Sequence, residues 1–212
     1  MDRDRLADVC ASLPVFPLPS TVLMPGMVMP LHVFEPRYRD LVGWVSERTQ
    51  VFGVATLRDP ADAASLPGDT PPLHEQIGVG IIVGQQKLPD GRRNLLLQYI
   101  GRARLLHELA SPHRFRIVHT ELLPELAPAD ADVARLRMLV LQLGAASPTA
   151  EGEARTLAEL PGHELVDGLA RRVLTDSVDQ RAYLWASASR RVDMVEERLA
   201  EFILMGEAAA QA

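Results

Sequence analysis

The stretch LPVFPLPSTVLMPGMVMPLHVFEPRY, residues 13–38, decides how this chain folds. Residues 13–34 are apolar enough for a membrane span, and His32 is their only ionisable side chain. Yet prolines stand at 14, 17, 19, 25, 30 and 36. Inside a helix each proline removes a backbone donor and clashes with the preceding turn, costing roughly 3 kcal/mol. A bilayer helix needs about 20 apolar residues with every backbone bond satisfied internally. This run cannot meet that demand. Extended segments accept proline at first positions, edges and bulges, and the residue before each proline is pushed towards extended geometry. The stretch therefore predicts a strand over 15–18, a turn at Pro25-Gly26 and a strand over 28–34. No basic n-region precedes one clean apolar core, so it does not read as a signal peptide. The expectation is a cytoplasmic chain with no membrane association.

Pro36 suits the first position of a helix, with Glu35 beside the positive end of its dipole. Tyr38, Leu41, Val42 and Val45 follow at helical spacing. QVFGVATL (50–57) predicts the next strand, and residues 58–74, rich in Pro, Asp, Ala and Gly, a long surface loop. Residues 75–120 read as a β-meander of strands 77–86, 94–100, 102–108 and 114–120. LPDG (88–91) makes the first hairpin turn, with Pro89 at its second position and Gly91 closing it. After Pro124 and Pro128 the apolar period becomes helical. One stripe is Val133, Leu136, Leu139, Val140 and Leu143, and a second is Leu165, Val166, Leu169, Val173 and Leu174. A short helix over 179–188 and a last stripe, Val192 to Ile203, complete the set, with 144–162 as a mobile linker. Strands first and helices afterwards imply an α+β fold, with a β subdomain over 1–124 and a helical subdomain over 125–212.

Composition narrows the function. The chain has 212 residues and 47% hydrophobic content, ample for a core. Its one cysteine, Cys10, excludes an internal disulfide and a cysteine-clustered metal site, and reads as an incidental thiol. Residues 1–127 carry net charge −1 and residues 128–212 net −5, together the −6 of the chain. An acidic helical half repels phosphates and argues against nucleic acid as the main partner.

The opening stretch resembles the signature of the Lon protease N-terminal, substrate-binding domain family. The elements that carry the likeness are Phe16-Pro17-Leu18, Pro25-Gly26, Pro30-Leu31 and Phe34 to Tyr38. IGVGIIVGQQKLPDGRRNLLLQYIGRARLL (77–106) extends the match, and LVDGLARRVL (165–174) and VEERLAEFIL (195–204) continue it loosely. The resemblance implies a PUA-like β pseudo-barrel followed by a helical bundle. It also implies a binding function for unfolded or tagged polypeptides, or an adaptor role beside a separate protease. A full Lon protease continues into an ATPase module and a Ser-Lys protease, whereas this sequence ends at 212, the length expected of a stand-alone domain. Lys87 is the only lysine. One lysine cannot serve both a phosphate-cradling loop and an acyl-transfer serine, and its hairpin context fits neither. The chain is expected to be non-catalytic and to need no cofactor.

The candidate residues divide by chemistry. Met24, Met27 and Met29 flank the Pro-Gly turn, where flexible thioethers suit varied apolar partners. With Phe34 and Tyr38 they form the expected binding surface, Met24 and Met27 exposed at the turn tip. Glu35 and Arg37 read as a helix-start carboxylate and an exposed arginine. The histidines show no metal-ligand spacing, so no metal site is expected. Arg92, Arg93, Arg102, Arg104, Arg114 and Arg116 offer the alternative, an RNA- or small-ligand-binding regulator on the same fold. Few aromatics accompany them, although base stacking needs aromatics. The GVGIIVG run (78–84) has the wrong spacing for a dinucleotide loop.

Overall fold

A computed structural model describes residues 2–64, 70–125, 127–145 and 150–210. It divides into two compact units, Met1–Glu125 and Leu126–Ala212. The first unit holds helix α1 (Arg3–Cys10), strands β1 (Leu13–Leu18) and β2 (Val28–Val33), helix α2 (Pro36–Ser46), and strands β3 (Val51–Leu57), β4 (Leu73–Lys87), β5 (Arg93–Leu109) and β6 (Arg116–Leu122). A short 3-10 helix, Pro60–Ala64, lies between β3 and β4. Residues 65–69 of the expected 58–74 loop fall outside the described residues, and β4 begins at Leu73, before the expected end of that loop.

Pairing closes five of the strands into a barrel. β1 runs parallel to β3 and antiparallel to β6, and β3–β4, β4–β5 and β5–β6 are all antiparallel. β2 is added outside this ring, antiparallel to the first half of β5, with Val28 opposite Gln98 and Val33 opposite Arg93. The expected strands 94–100 and 102–108 are one continuous strand. Gly101 makes no turn, and β5 is long enough to pair first with β2 and then with β6. The glycine lets the neighbouring layer close in, since a Cβ there would meet Leu6 at 3.3 Å and Leu122 at 3.4 Å.

All seven residues of β3 are buried because two cores flank it. Val51, Ala55 and Leu57 belong to one cluster with Leu13, Val15, Ile77, Val79, Ala103 and Val118. Phe52 and Val54 face another, roofed by Tyr38, Leu41, Val42 and Val45 of α2. A strand covered on both faces reads as an unbroken apolar run rather than an alternation. α1, not anticipated from the sequence, adds Leu6 and Cys10 to the first cluster. It is tied to β6 where Thr120 Oγ1 donates to Cys10 O and His119 Nδ1 to Ala11 O, both at 2.7 Å. Cys10 is therefore a core residue, not an incidental thiol. Burial pushes its pKa up to about 11, against a smaller lowering by the Thr120 hydroxyl.

The second unit is helical, with α3 (Asp130–Ala145), α4 (Glu151–Ala158), α5 (Gly162–Val173), α6 (Ser177–Trp185) and α7 (Ala188–Ala210). The expected stripes are its packing faces, with Val133, Leu136, Val140, Leu165, Val166, Leu169, Val192, Val195 and Leu199 all buried. α4 occupies part of the supposed linker. It buries only Ala154 and Leu157, too little periodicity to announce a helix. Gly144 lets it close on α3, since a Cβ there would lie 2.3 Å from that of Ala154. Among the described residues no helix is long and apolar enough to cross a membrane.

Candidate functional site

A cavity of about 1180 Å³ opens on the β unit. Phe16, Pro17 and Leu18 from the end of β1 form one side, and Leu31, His32 and Phe34 from β2 and its exit form another. The first turn of α2 contributes Arg37 and Tyr38, and the β5–β6 connection with its strand ends contributes Glu108 to Ser111 and His113 to Arg116. β1 brings Phe16 under α2, where its ring stacks on Tyr38 at 4.1 Å between centroids and 21° between planes. Burial raises the Tyr38 pKa above its ordinary value, partly offset by the neighbouring Arg37 cation. Phe34, beside this stack, is 60% exposed.

Four of the lining charges pair with one another. Arg37 donates to Glu35 through Nε (2.9 Å) and lies 2.8 Å from it through Nη2. Glu35 makes no side-chain capping bond to α2, because its carboxylate is turned to Arg37 instead. Arg116 grips Glu108 through Nε (3.0 Å) and Nη2 (2.6 Å), while its Nη1 donates to Pro71 O at 2.7 Å. The His113 ring stacks flat on Phe115 at 4.7 Å and meets the edge of Trp44 at 5.7 Å. Ser111 Oγ accepts from the His113 backbone N–H at 3.2 Å. Such a lining offers aromatic faces to apolar groups.

The expected surface is only partly assembled. Phe34 and Tyr38 both line the cavity. Met24 does not reach solvent at all, being 0% exposed, Met29 is buried, and Met27 is half-buried. The expectation of exposed Met24 at the turn tip is thus corrected. The turn itself is present, with Met27 N–H donating to Met24 O at 3.1 Å and Gly26 at φ 69°. It lies down over β4 rather than standing away from it. A Cβ at Gly78 would fall 2.2 Å from Leu23 O, so the backbone approaches as only glycine permits. Thr56 Oγ1 also donates to Thr21 O at 3.3 Å. That is the use of the glycine run.

The six arginines do not form one bare cationic face. Arg102 is buried and donates to Pro124 O at 2.8 Å. Arg92 pairs with Asp90 at 2.6 Å and Arg116 with Glu108. Arg104 lies 3.7 Å from Glu121 and Arg114 4.0 Å from Asp40. Among the described residues no three histidine, cysteine or carboxylate side chains converge as metal ligands. Sequence reasoning missed Phe115 and Glu108 as lining residues. They lie far from the opening motif along the chain, and only barrel closure brings them to it.

Comparison with known proteins bears on this geometry. Residues 12–200 match the family model of the ATP-dependent protease La (LON) substrate-binding domain. Lon protease of Porphyromonas gingivalis is 27% identical over 120 residues, which span 55% of this chain and 13% of that protein. The N-terminal domain of Mycobacterium avium complex Lon protease superposes with a TM-score of 0.63 at 18% identity, covering 89% of this chain and 98% of that one. A Lon N-terminal domain protein from Xanthomonas campestris gives 0.50 at 21% identity, covering 88% and 97%. These two structures share the fold. With a family match running from β1 to α7, this chain belongs to the Lon substrate-binding domain family.

Proposed function

We propose that this chain binds unfolded or tagged polypeptide segments in the cavity beside Phe34, without altering them chemically, and presents them to a separate protease. The cavity is the observation that carries this reading. It joins a stacked Phe16–Tyr38 wall and an exposed Phe34 on a domain whose family is described as substrate-binding. At about 1180 Å³ it exceeds the roughly 300–1,000 Å³ usual for small-molecule sites. The pairing of Arg37 with Glu35 and of Arg116 with Glu108 favours apolar side chains over phosphate. The RNA reading has no continuous cationic groove to rest on among the described residues.

The test uses fluorescently labelled, reduced and carboxymethylated α-lactalbumin beside the folded protein, with anisotropy as the readout. Binding of the unfolded form alone is expected. Phe34→Ser should weaken it about tenfold, as loss of an exposed aromatic anchor does, with circular dichroism unchanged. Equal binding of folded and unfolded forms, or binding indifferent to Phe34, would place recognition elsewhere.

A further inference from the structure

Among the described residues β2 is the one strand of the β unit outside the closed ring, and it pairs with β5 alone. Tyr99 N–H donates to Met27 O at 2.9 Å, and these residues stand directly opposite in the β2–β5 register. Antiparallel pairs alternate between hydrogen-bonded and non-hydrogen-bonded. Met29, Leu31 and Val33 therefore turn their backbone groups to β5. Val28, Pro30 and His32 turn theirs to the open edge. Pro30 has no N–H to offer there, which shortens the edge as natural sheets do to avoid indiscriminate pairing. What remains beside the cavity is the N–H and C=O of His32, with the C=O of Pro30 as a further acceptor. Across the cavity, Pro17 and Pro19 of the β1 side also lack N–H groups.

We infer that a bound polypeptide adds to β2 as a short antiparallel strand, paired to the backbone of His32. This rests on the polypeptide-binding reading above and names its mode and substrate class. Main-chain bonds give affinity in strand addition, and alternate side chains give selectivity. The peptide residue opposite His32 shares its solvent side. The residues flanking it share the face of Leu31, which lines the cavity and packs with Met29 and Val33 against the second core. Glu35–Arg37 and Glu108–Arg116 pair with each other, and Phe16, Leu31 and Phe34 line the cavity beside β2, so those flanking side chains are uncharged and apolar. The substrate class is an extended segment in which large apolar residues alternate with small polar ones.

An acetylated nonapeptide alternating serine with phenylalanine is the probe, titrated against the full chain by calorimetry. Two further versions carry N-methyl groups on all serines or on all phenylalanines. Antiparallel addition at His32 makes the serine N–H groups the bonded ones. Serine methylation should then weaken binding at least about tenfold, and phenylalanine methylation less than about threefold. His32→Pro, which removes the edge N–H, should weaken the parent peptide well beyond His32→Ala, which keeps that N–H. If the parent peptide binds and the two methylated versions behave alike, strand addition is wrong while polypeptide binding stands. If neither the parent peptide nor unfolded α-lactalbumin binds, both readings fall. Should His32→Pro fail to fold, the methylated peptides still decide.

Discussion

Phe16 and Tyr38 stack at 4.1 Å between centroids, joining the strand that opens the barrel to the helix that roofs its second core. Both rings are buried and both line the cavity, so one contact serves packing and site shape together. Tyr38→Ala should cost about 3–5 kcal/mol in urea unfolding, as large aromatic truncations do. Tyr38→Phe keeps the ring and should stay within about 1 kcal/mol of the parent. The alkaline limb offers a separate check. Burial raises the Tyr38 pKa in the folded state, while the unfolded phenol ionises near its ordinary 10.0. The unfolded chain then holds fewer protons above that pH, and stability falls as pH rises. Tyr38→Phe should flatten that fall.

Met24 and Met27 flank the same turn but should respond differently to the same change. Met24 is wholly enclosed, so Met24→Ser should lose about 2–5 kcal/mol. Met27 is half-buried, and Met27→Ser should lose less than about 1 kcal/mol. Thermal melts of the two single variants, followed by circular dichroism, separate them. Equal losses would contradict the placement of this turn over β4.

Cys10 should be nearly inert in the native protein. With its pKa near 11, about one thiol in a thousand is ionised at pH 8, and the side chain is closed to solvent. Labelling with a chromogenic disulfide reagent should be slow in buffer and complete within minutes in denaturing urea. Fast native labelling would show that α1 does not stay docked on β6.

Asp176 caps α6, accepting from the N–H groups of Val178 and Asp179 at 2.9 Å each. Those bonds hold its carboxyl below the usual range, with a lesser contribution from the Arg198 cation. Asp176→Ala should cost about 1 kcal/mol near neutral pH. The lowered pKa means that this contribution is present above the ordinary carboxylate range and disappears as pH falls through the folded value. Melting temperatures of parent and variant should therefore converge in acid.

The elements were legible where local rules act alone. Proline placement marked β1, β2 and the start of α2, and helical spacing picked out Tyr38, Leu41, Val42 and Val45, all of them buried. The same rules gave a weak signal on α1, where Asp2 caps the first turn but only Leu6 and Cys10 are buried, and on α4, which also buries two residues. They split β5 at Gly101, because a glycine that permits close packing looks the same in sequence as one that turns the chain.

The opening motif carried the resemblance to the family, and the sequence by itself determined the α+β order and the exclusion of a spanning helix from the opening stretch, since proline chemistry and side-chain periodicity depend on near neighbours. Only the tertiary structure decided which apolar residues face solvent. Met24 is drawn into the core by the approach of Leu23 to Gly78, while Phe34 is left exposed where β2 ends. The cavity belongs to the same order of information. Its walls run from Phe16 to Arg116, and they meet because β6 pairs with β1 and β5 to close the barrel. Closure is a long-range pairing, and no window of local sequence contains it.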